Sequence, residues 1–291
     1  MSLRTTALAI VACHLLCVPA RAANSASGSV TVDKLGTITV SHAAAYLVRD
    51  GHATRTEIML TDVAVNAAGL QNEFNPHMAA INLDALKDRN YVLLWINADG
   101  SVSMNATFSK TMTQILDATS GRLKVTWTTN SPARADGRLF SGGPLKTMDG
   151  SSFTVDLKFG VDVPAAPAGT PLAAGGGDPG KALTAFIAAA QKKSWTAIKS
   201  ASSPDALKTF DKSYNTPAEN ASDVLDLLKA WLPLEKMKIT GGQLRGDVAI
   251  LDVEGQMFPG QASMIGVSIV RMVKSGTVWQ FDKATRVGMV K

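Results

Sequence analysis

The sequence predicts two domains of different class: an all-β domain, an antiparallel sandwich or open barrel, followed by an α+β domain with helices packed on a curved antiparallel sheet. Three observations carry this. From Gly28 to Val163, apolar residues recur at alternate positions, the period of half-buried strands. From Asp178 they recur at helical spacing, and from Leu234 they alternate again. Between these stretches lies Pro164–Gly180, with almost no charge and no aromatic side chain. Proline removes amide donors and glycine raises the entropy lost on ordering, so this run predicts a linker, extended in its proline part and loose in its glycines. The domains are then residues 23–163 and 181–291, and 291 residues suffice for two modest cores.

Taken in order, Val30 and Val32, then Ile38 and Val40, alternate on either side of a turn at Leu35-Gly36. Ala43–Val48 and Thr56–Val65 read as strands joined by Arg49-Asp50-Gly51-His52, where Asp-Gly accepts a positive φ. Phe74-Asn75-Pro76-His77 reads as a loop, and Ala79–Asp88 fits a short helix or a turn. Tyr91–Ile96 runs into Asn97-Ala98-Asp99-Gly100, the strongest hairpin turn in the chain. Strands follow from Val102 and from Leu123, with turns expected at Asp136-Gly137, at Gly142-Gly143-Pro144 and at Asp149-Gly150. Phe153, Val155, Leu157, Phe159, Val161 and Val163 form a clean stripe. In the second domain, Asp178-Pro179 predicts a helix start, Trp195–Ser200 a short helix and Ser203-Pro204-Asp205 another start. Asn220 or Ser222 is the expected cap of a longer helix that Pro233 stops. Strands are expected over Leu234–Thr240, Asp247–Phe258, Ala262–Val273 and Thr277–Lys283, with turns at Pro259-Gly260 and Lys274-Ser275-Gly276.

The first 22 residues read as a signal peptide. Arg4 precedes the apolar run Ala7–Val18, and Ala20-Arg21-Ala22 supplies small residues for cleavage before Ala23. The expected location is the periplasm or outside the cell. Both cysteines, Cys13 and Cys17, lie in this leader, so the mature chain has no disulfide and no thiolate. No later apolar run is long enough to span a bilayer as a helix. Taking Arg4 and Arg21 from 29 basic residues against 24 acidic ones leaves a small positive excess, concentrated after the linker. That is far short of a basic stripe, so nucleic acid is not an expected partner.

Catalytic motifs are missing. His42, His52 and His77 share no metal-ligand spacing and read as ordinary histidines; no metal site is expected. No serine sits in a Gly-x-Ser-x-Gly turn, and no glycine-rich phosphate loop opens a helix, so no cofactor is expected.

Four stretches of the second domain carry a resemblance: Pro179–Trp195, the helix ending Trp231-Leu232-Pro233, the strand Lys238–Asp247 and the closing Val278–Lys283. Together they resemble the ketosteroid-isomerase-like, or nuclear-transport-factor-like, superfamily, in particular its small exported bacterial members; the first domain resembles no known family. The resemblance implies a cone-shaped pocket between sheet and helices, used by some members for isomerase, cyclase or dehydratase chemistry and by many for binding alone. Asp252, Glu254 and Tyr214 are the counterparts available for a carboxylate base and an oxyanion hole. Asp252 and Glu254 share one strand face, opposite Ala249, Leu251 and Val253, and face solvent if that apolar side packs on the helices. Trp195, Trp231 and Trp279 line the pocket or belong to the core. No catalytic residue is assigned.

The sequence therefore favours a non-enzymatic envelope protein that binds a protein partner or a small apolar ligand. An isomerase, cyclase or hydratase-like enzyme is the alternative, and an inhibitor or immunity-type protein against a secreted hydrolase is a second one. Self-association as a dimer through the second sheet is an option. The linker lets two modules move independently or lets them dock around a shared cleft, and docking is favoured.

Overall fold

A computed structural model describes residues 23–111, 113–117, 122–147, 150–256 and 264–290. The described chain is mostly antiparallel sheet, arranged as three open sheets, with few helices. The expected leader, Asp149 and Pro259-Gly260 lie outside the described residues.

The N-terminal half begins with β1 (Ser25–Val32), β2 (Gly36–Val40), β3 (His42–Asp50) and β4 (Ala53–Thr61). A short helix α1 (Pro76–Ile81) precedes β5 (Tyr91–Ile96), β6 (Val102–Phe108) and β7 (Thr113–Asp117). Next come β8 (Lys124–Ser131), β9 (Arg134–Phe140), β10 (Leu145–Lys146) and β11 (Ser152–Asp162). One sheet has the order β2-β1-β11-β9-β8, with β10 also on β11; the other runs β3-β4-β5-β6-β7. Their facing side chains share one core. Val30, Ile38 and the Phe153–Val161 stripe on one sheet meet Ile58, Leu60, Leu94 and Met104 on the other. The alternation seen in the sequence is this burial.

Asp136-Gly137, expected as a turn, lies within β9; the reversal occurs between Ser131 and Arg134. Gly137 sits there because the Trp127 ring lies 3.1 Å from where a Cβ would stand, so this glycine makes room for an aromatic ring. The expected loop Phe74–His77 is also different. Asn75 accepts a hydrogen bond from the Met78 amide and Pro76 takes the first helical position, so His77 falls in the first turn of α1. This half is therefore not purely β. The segment containing α1 covers the outer face of the β3–β7 sheet and builds a second core from Tyr46, Val48, Met59, Leu70, Leu86 and Leu93.

The C-terminal half opens with β12 (Thr170–Leu172), inside the expected linker. It pairs with residues 242–244 at a sheet edge, where Pro171 is tolerated. Four helices follow: α2 (Gly177–Gln191), α3 (Trp195–Ser200), α4 (Pro204–Phe210) and α5 (Pro217–Trp231). α2 begins at Gly177, before the expected Asp178-Pro179 start, and Asp178 pairs with Lys181 without capping the helix. A Cβ on Gly180 would stand 1.9 Å from the Gly175 carbonyl oxygen, so the glycines of this run form a tight turn into the helix and not a loose tether. α5 is capped by Thr216 with Glu219 in a reciprocal box, and Asn220, one of the expected caps, is buried in its first turn.

Strands β13 (Glu235–Arg245), β14 (Val248–Gln256), β15 (Ile265–Ser275) and β16 (Val278–Val290) complete the order β12-β13-β14-β15-β16. β13 passes through Gly241-Gly242 with a bulge, and β16 runs seven residues beyond the expected end at Lys283. The helices cover one sheet face. The space between is filled by Phe186, Phe210 and Phe281, stacked with centroids 4.3 to 6.3 Å apart, together with Leu251, Val253 and Met272. The outer edge of β16 is engaged by its own chain, through Ser203 and Ala201 at Phe281 and through Gly51 at Val287. A dimer through that edge would have to displace these bonds. Among the described residues no helix is long and apolar enough to cross a membrane.

Phe281 is fully buried at the centre of the stack. Phe281→Ala is expected to cost about 3–5 kcal/mol in urea denaturation of the chain. A loss below 1 kcal/mol would show that the stack does not anchor the helices.

Candidate functional site

The site begins where the two halves meet. The tail of β16 passes under the β3–β4 hairpin, and the Gly51 amide donates to the Val287 carbonyl at 2.9 Å. Arg49 donates to Asp252 at 2.9 Å, and His52 Nε2 stands 3.4 Å from Glu254. A Cβ on Gly288 would fall 2.7 Å from the Gly51 nitrogen, so the two backbones approach as only glycine allows. The halves dock, as the shared-cleft reading expects.

Beside this contact lies a cleft of about 750 Å³. Its lower wall is the sheet face turned away from the helices. Because Ala249, Leu251 and Val253 face the helices, the intervening Val248, Ile250 and Asp252 face the cleft. Its upper wall comes from Leu47–Arg49, Arg55, Glu57 and Trp95, and from the approach to α1. The connector closes one side with Ala166-Pro167-Ala168. The expected linker is thus a wall of the site as well as a join.

Within the upper wall, sheet register makes a cluster. Tyr46 stands opposite Glu57, and Glu57 opposite Trp95, in one row across β3, β4 and β5. This row is on the outer sheet face, where α1 lays His77 over it. Glu57, 1% exposed, accepts from Tyr46 Oη at 2.5 Å, from Trp95 Nε1 at 2.5 Å and from His77 Nδ1 at 2.8 Å. A carboxylate only accepts, so Nδ1 carries the hydrogen and the half-buried imidazole is held in one orientation. Its Nε2 has no hydrogen-bond partner among the described residues. Burial, and then the charge of Glu57, pushes the Tyr46 hydroxyl well above the ordinary tyrosine range. Arg55 lies 5.5 Å over the Trp95 ring and pairs with Asp50 at 2.9 Å. The cluster offers an oriented imidazole to the cleft, but no serine or cysteine lines it. It suits hydrogen bonding or proton exchange with a bound molecule.

The lower wall adds Arg245 and Arg271, with Arg286 nearby. Arg271 stands 3.5 Å from Asp282, whereas Arg245 has, among the described residues, the neutral Gln243 amide alone, at 2.8 Å. The Nε groups of Arg49, Arg55, Arg245 and Arg286 are buried and have no partner among the described residues. Burial also lowers the proton affinity of Arg245 from its ordinary value.

Of the residues singled out in the sequence, only Asp252 lines the cleft. Glu254 shares its face but pairs with His52. Neither carboxylate enters the space under the helices, because strand alternation gives that side to the apolar residues. Nor do they face open solvent, because the N-terminal half covers them. Trp195, Trp231 and Trp279 pack at the margin of the C-terminal core, and Tyr214 is 83% exposed. These four do not assemble with Asp252 into one site. Glu57 was not among the sequence candidates and His77 was read there as an ordinary histidine; they lie 20 residues apart, and only sheet register and the placement of α1 join them. Comparison of the chain with protein-family models, with curated proteins and with solved structures gives no match.

Two outcomes test this geometry. Glu57→Gln turns one acceptor oxygen into a donor facing existing donors, and is expected to cost about 1–3 kcal/mol in denaturant unfolding. The raised Tyr46 value means that its contribution to stability is complete below about pH 10 and is lost as pH rises further, since the unfolded chain ionises first. The melting temperature should fall above that pH, and less steeply in Tyr46→Phe; equal slopes would remove Tyr46 as the cause. Separately, Gly288→Val should separate the halves, giving a larger radius of gyration in solution scattering.

Proposed function

We propose that this chain is an exported two-domain protein that binds a small molecule in the cleft between its halves, without turning it over. The observation that carries the reading is the cleft itself, about 750 Å³, walled by both halves and their connector, with Glu57 holding His77 at its edge. That volume lies in the range of ligand sites, and junctions between domains are where such sites concentrate. Three separate apolar clusters, two in the first half and one in the second, support division into two domains. Export rests on the leader features at Arg4, Ala7–Val18 and Ala20-Arg21-Ala22. Helices on one face of a five-stranded sheet support a second domain of the ketosteroid-isomerase-like kind, with its usual pocket filled by phenylalanines and the binding face transferred to the other side of the sheet. The same filling argues against an isomerase-like enzyme using that pocket.

Hydrogen exchange on the mature chain, with and without a low-molecular-weight extract of the source cells, tests this. Protection is expected over 47–57 and 71–77 and on the cleft face of β14. Protection elsewhere, or none together with capture of a stoichiometric protein partner, would overturn the reading.

A further inference from the structure

Resting on the reading of the cleft as a ligand site, we propose that its occupant is a soluble amphipathic anion whose acidic group lies against Arg245 and whose apolar body lies between the two walls. The charges of the cleft argue for it one by one. Asp252 is taken by Arg49 at 2.9 Å, and Glu57 by three donors. Arg55 has Asp50, and Arg271 has Asp282. Glu73, the remaining acid of the lining, is exposed and makes no ion pair among the described residues.

That leaves two cleft cations with no carboxylate partner among the described residues: Arg286, which has the Lys229 carbonyl at 3.5 Å, and the half-buried Arg245, whose contact is the Gln243 amide at 2.8 Å. Its Nε is out of contact with water and unpartnered among the described residues. A half-buried guanidinium whose Nε is out of water and which has no counter-charge is costly, and a ligand carboxylate or phosphate, matched to its planar fork, lowers that cost. A cationic ligand would meet four further guanidinium groups around the same space, and so is selected against.

The rest of the lining is mixed: the apolar Val248, Ile250 and Ile269 on the lower wall and Phe74 and Pro167 elsewhere, beside the neutral polar Thr54, Gln71, Asn72, Asn75 and Gln243. A hydrocarbon or aromatic body fits there, and a small inorganic anion leaves those walls wet. The concave, two-sided shape suits a single molecule in solution in preference to a flat lipid surface.

The experiment is calorimetric titration of the mature chain with one tail and different heads: decanoate, decyl phosphate, decanol and decylamine, with acetate as the tail-less anion. Decanoate and decyl phosphate are expected to bind at least tenfold more tightly than decanol, and decylamine and acetate not at all. Arg245→Gln should weaken decanoate at least tenfold and leave decanol unchanged. Arg245→Lys should recover part of the loss, and Arg138→Gln, on the far sheet, should have no effect. Melting curves confirm that each variant is folded.

Decanol or decylamine binding as tightly as decanoate would overturn the anionic class while leaving the cleft a ligand site. No binding by any probe would overturn both. Sedimentation with phosphatidylglycerol vesicles, without binding of monomeric decanoate, would assign the arginines to a lipid headgroup and overturn the soluble ligand. An Arg245→Gln chain with unchanged decanoate affinity would overturn the placement of the acidic group.

Discussion

The cleft between the two halves of this protein depends on a close backbone approach at two glycines. Where Gly51 at the tip of one hairpin meets Gly288 near the end of the last strand, neither chain carries a side chain, and the Gly51 amide reaches the Val287 carbonyl. A Cβ at Gly288 would hold the surfaces apart and the cleft would lose one wall. The ion pairs beside it, Arg49 with Asp252 and His52 with Glu254, are partly exposed and add little stabilisation on their own. Their use is positional: they set the rotation of one half on the other, and so fix which residues of the upper wall face which residues of the lower.

The two walls are built by different rules. In the lower wall, strand alternation sends every second residue of β14 and β15 to the helices and leaves the intervening ones, apolar and charged together, for the cleft. In the upper wall, cross-strand register brings three side chains of different chemistry into a row, and a short helix places a fourth over them. Glu57 is tolerable there because three donors satisfy it; removing its charge or one of its partners leaves a buried polar group unpaired. A residue that would be a liability in a bare sheet becomes the point that fixes His77.

Much of the architecture was legible along the chain. The stripe Phe153–Val161, the hairpin at Asn97–Gly100 and the helical face Leu183, Phe186, Ile187 all report local periodicity, and all are buried or turned as the pattern requires. The misreadings share a cause. Asp136-Gly137 has turn chemistry, but its glycine accommodates Trp127. The Pro164–Gly180 run has linker composition, but Thr170–Leu172 finds an open sheet edge and its glycines find a tight approach at Gly180. In each case a neighbour distant in sequence decided the use of a small or rigid residue. The extension of β16 past Lys283 was missed because Arg286 and Gly288 break its apolar pattern, and they do so where the strand leaves its own core to meet the other half.

What the sequence determined by itself is the set of faces: which residues of each strand and helix turn together, and that no nucleophile or metal-binding motif is spelled out. Those properties follow from periods of two and 3.6 residues and from composition, which need no neighbour. Tertiary structure alone decided that Asp252 looks across at Arg49, that Glu57 holds His77, and that Arg245 lines the cleft beside a neutral amide. Such pairings depend on sheet register and on the docking of two separately built cores, and no local rule specifies either.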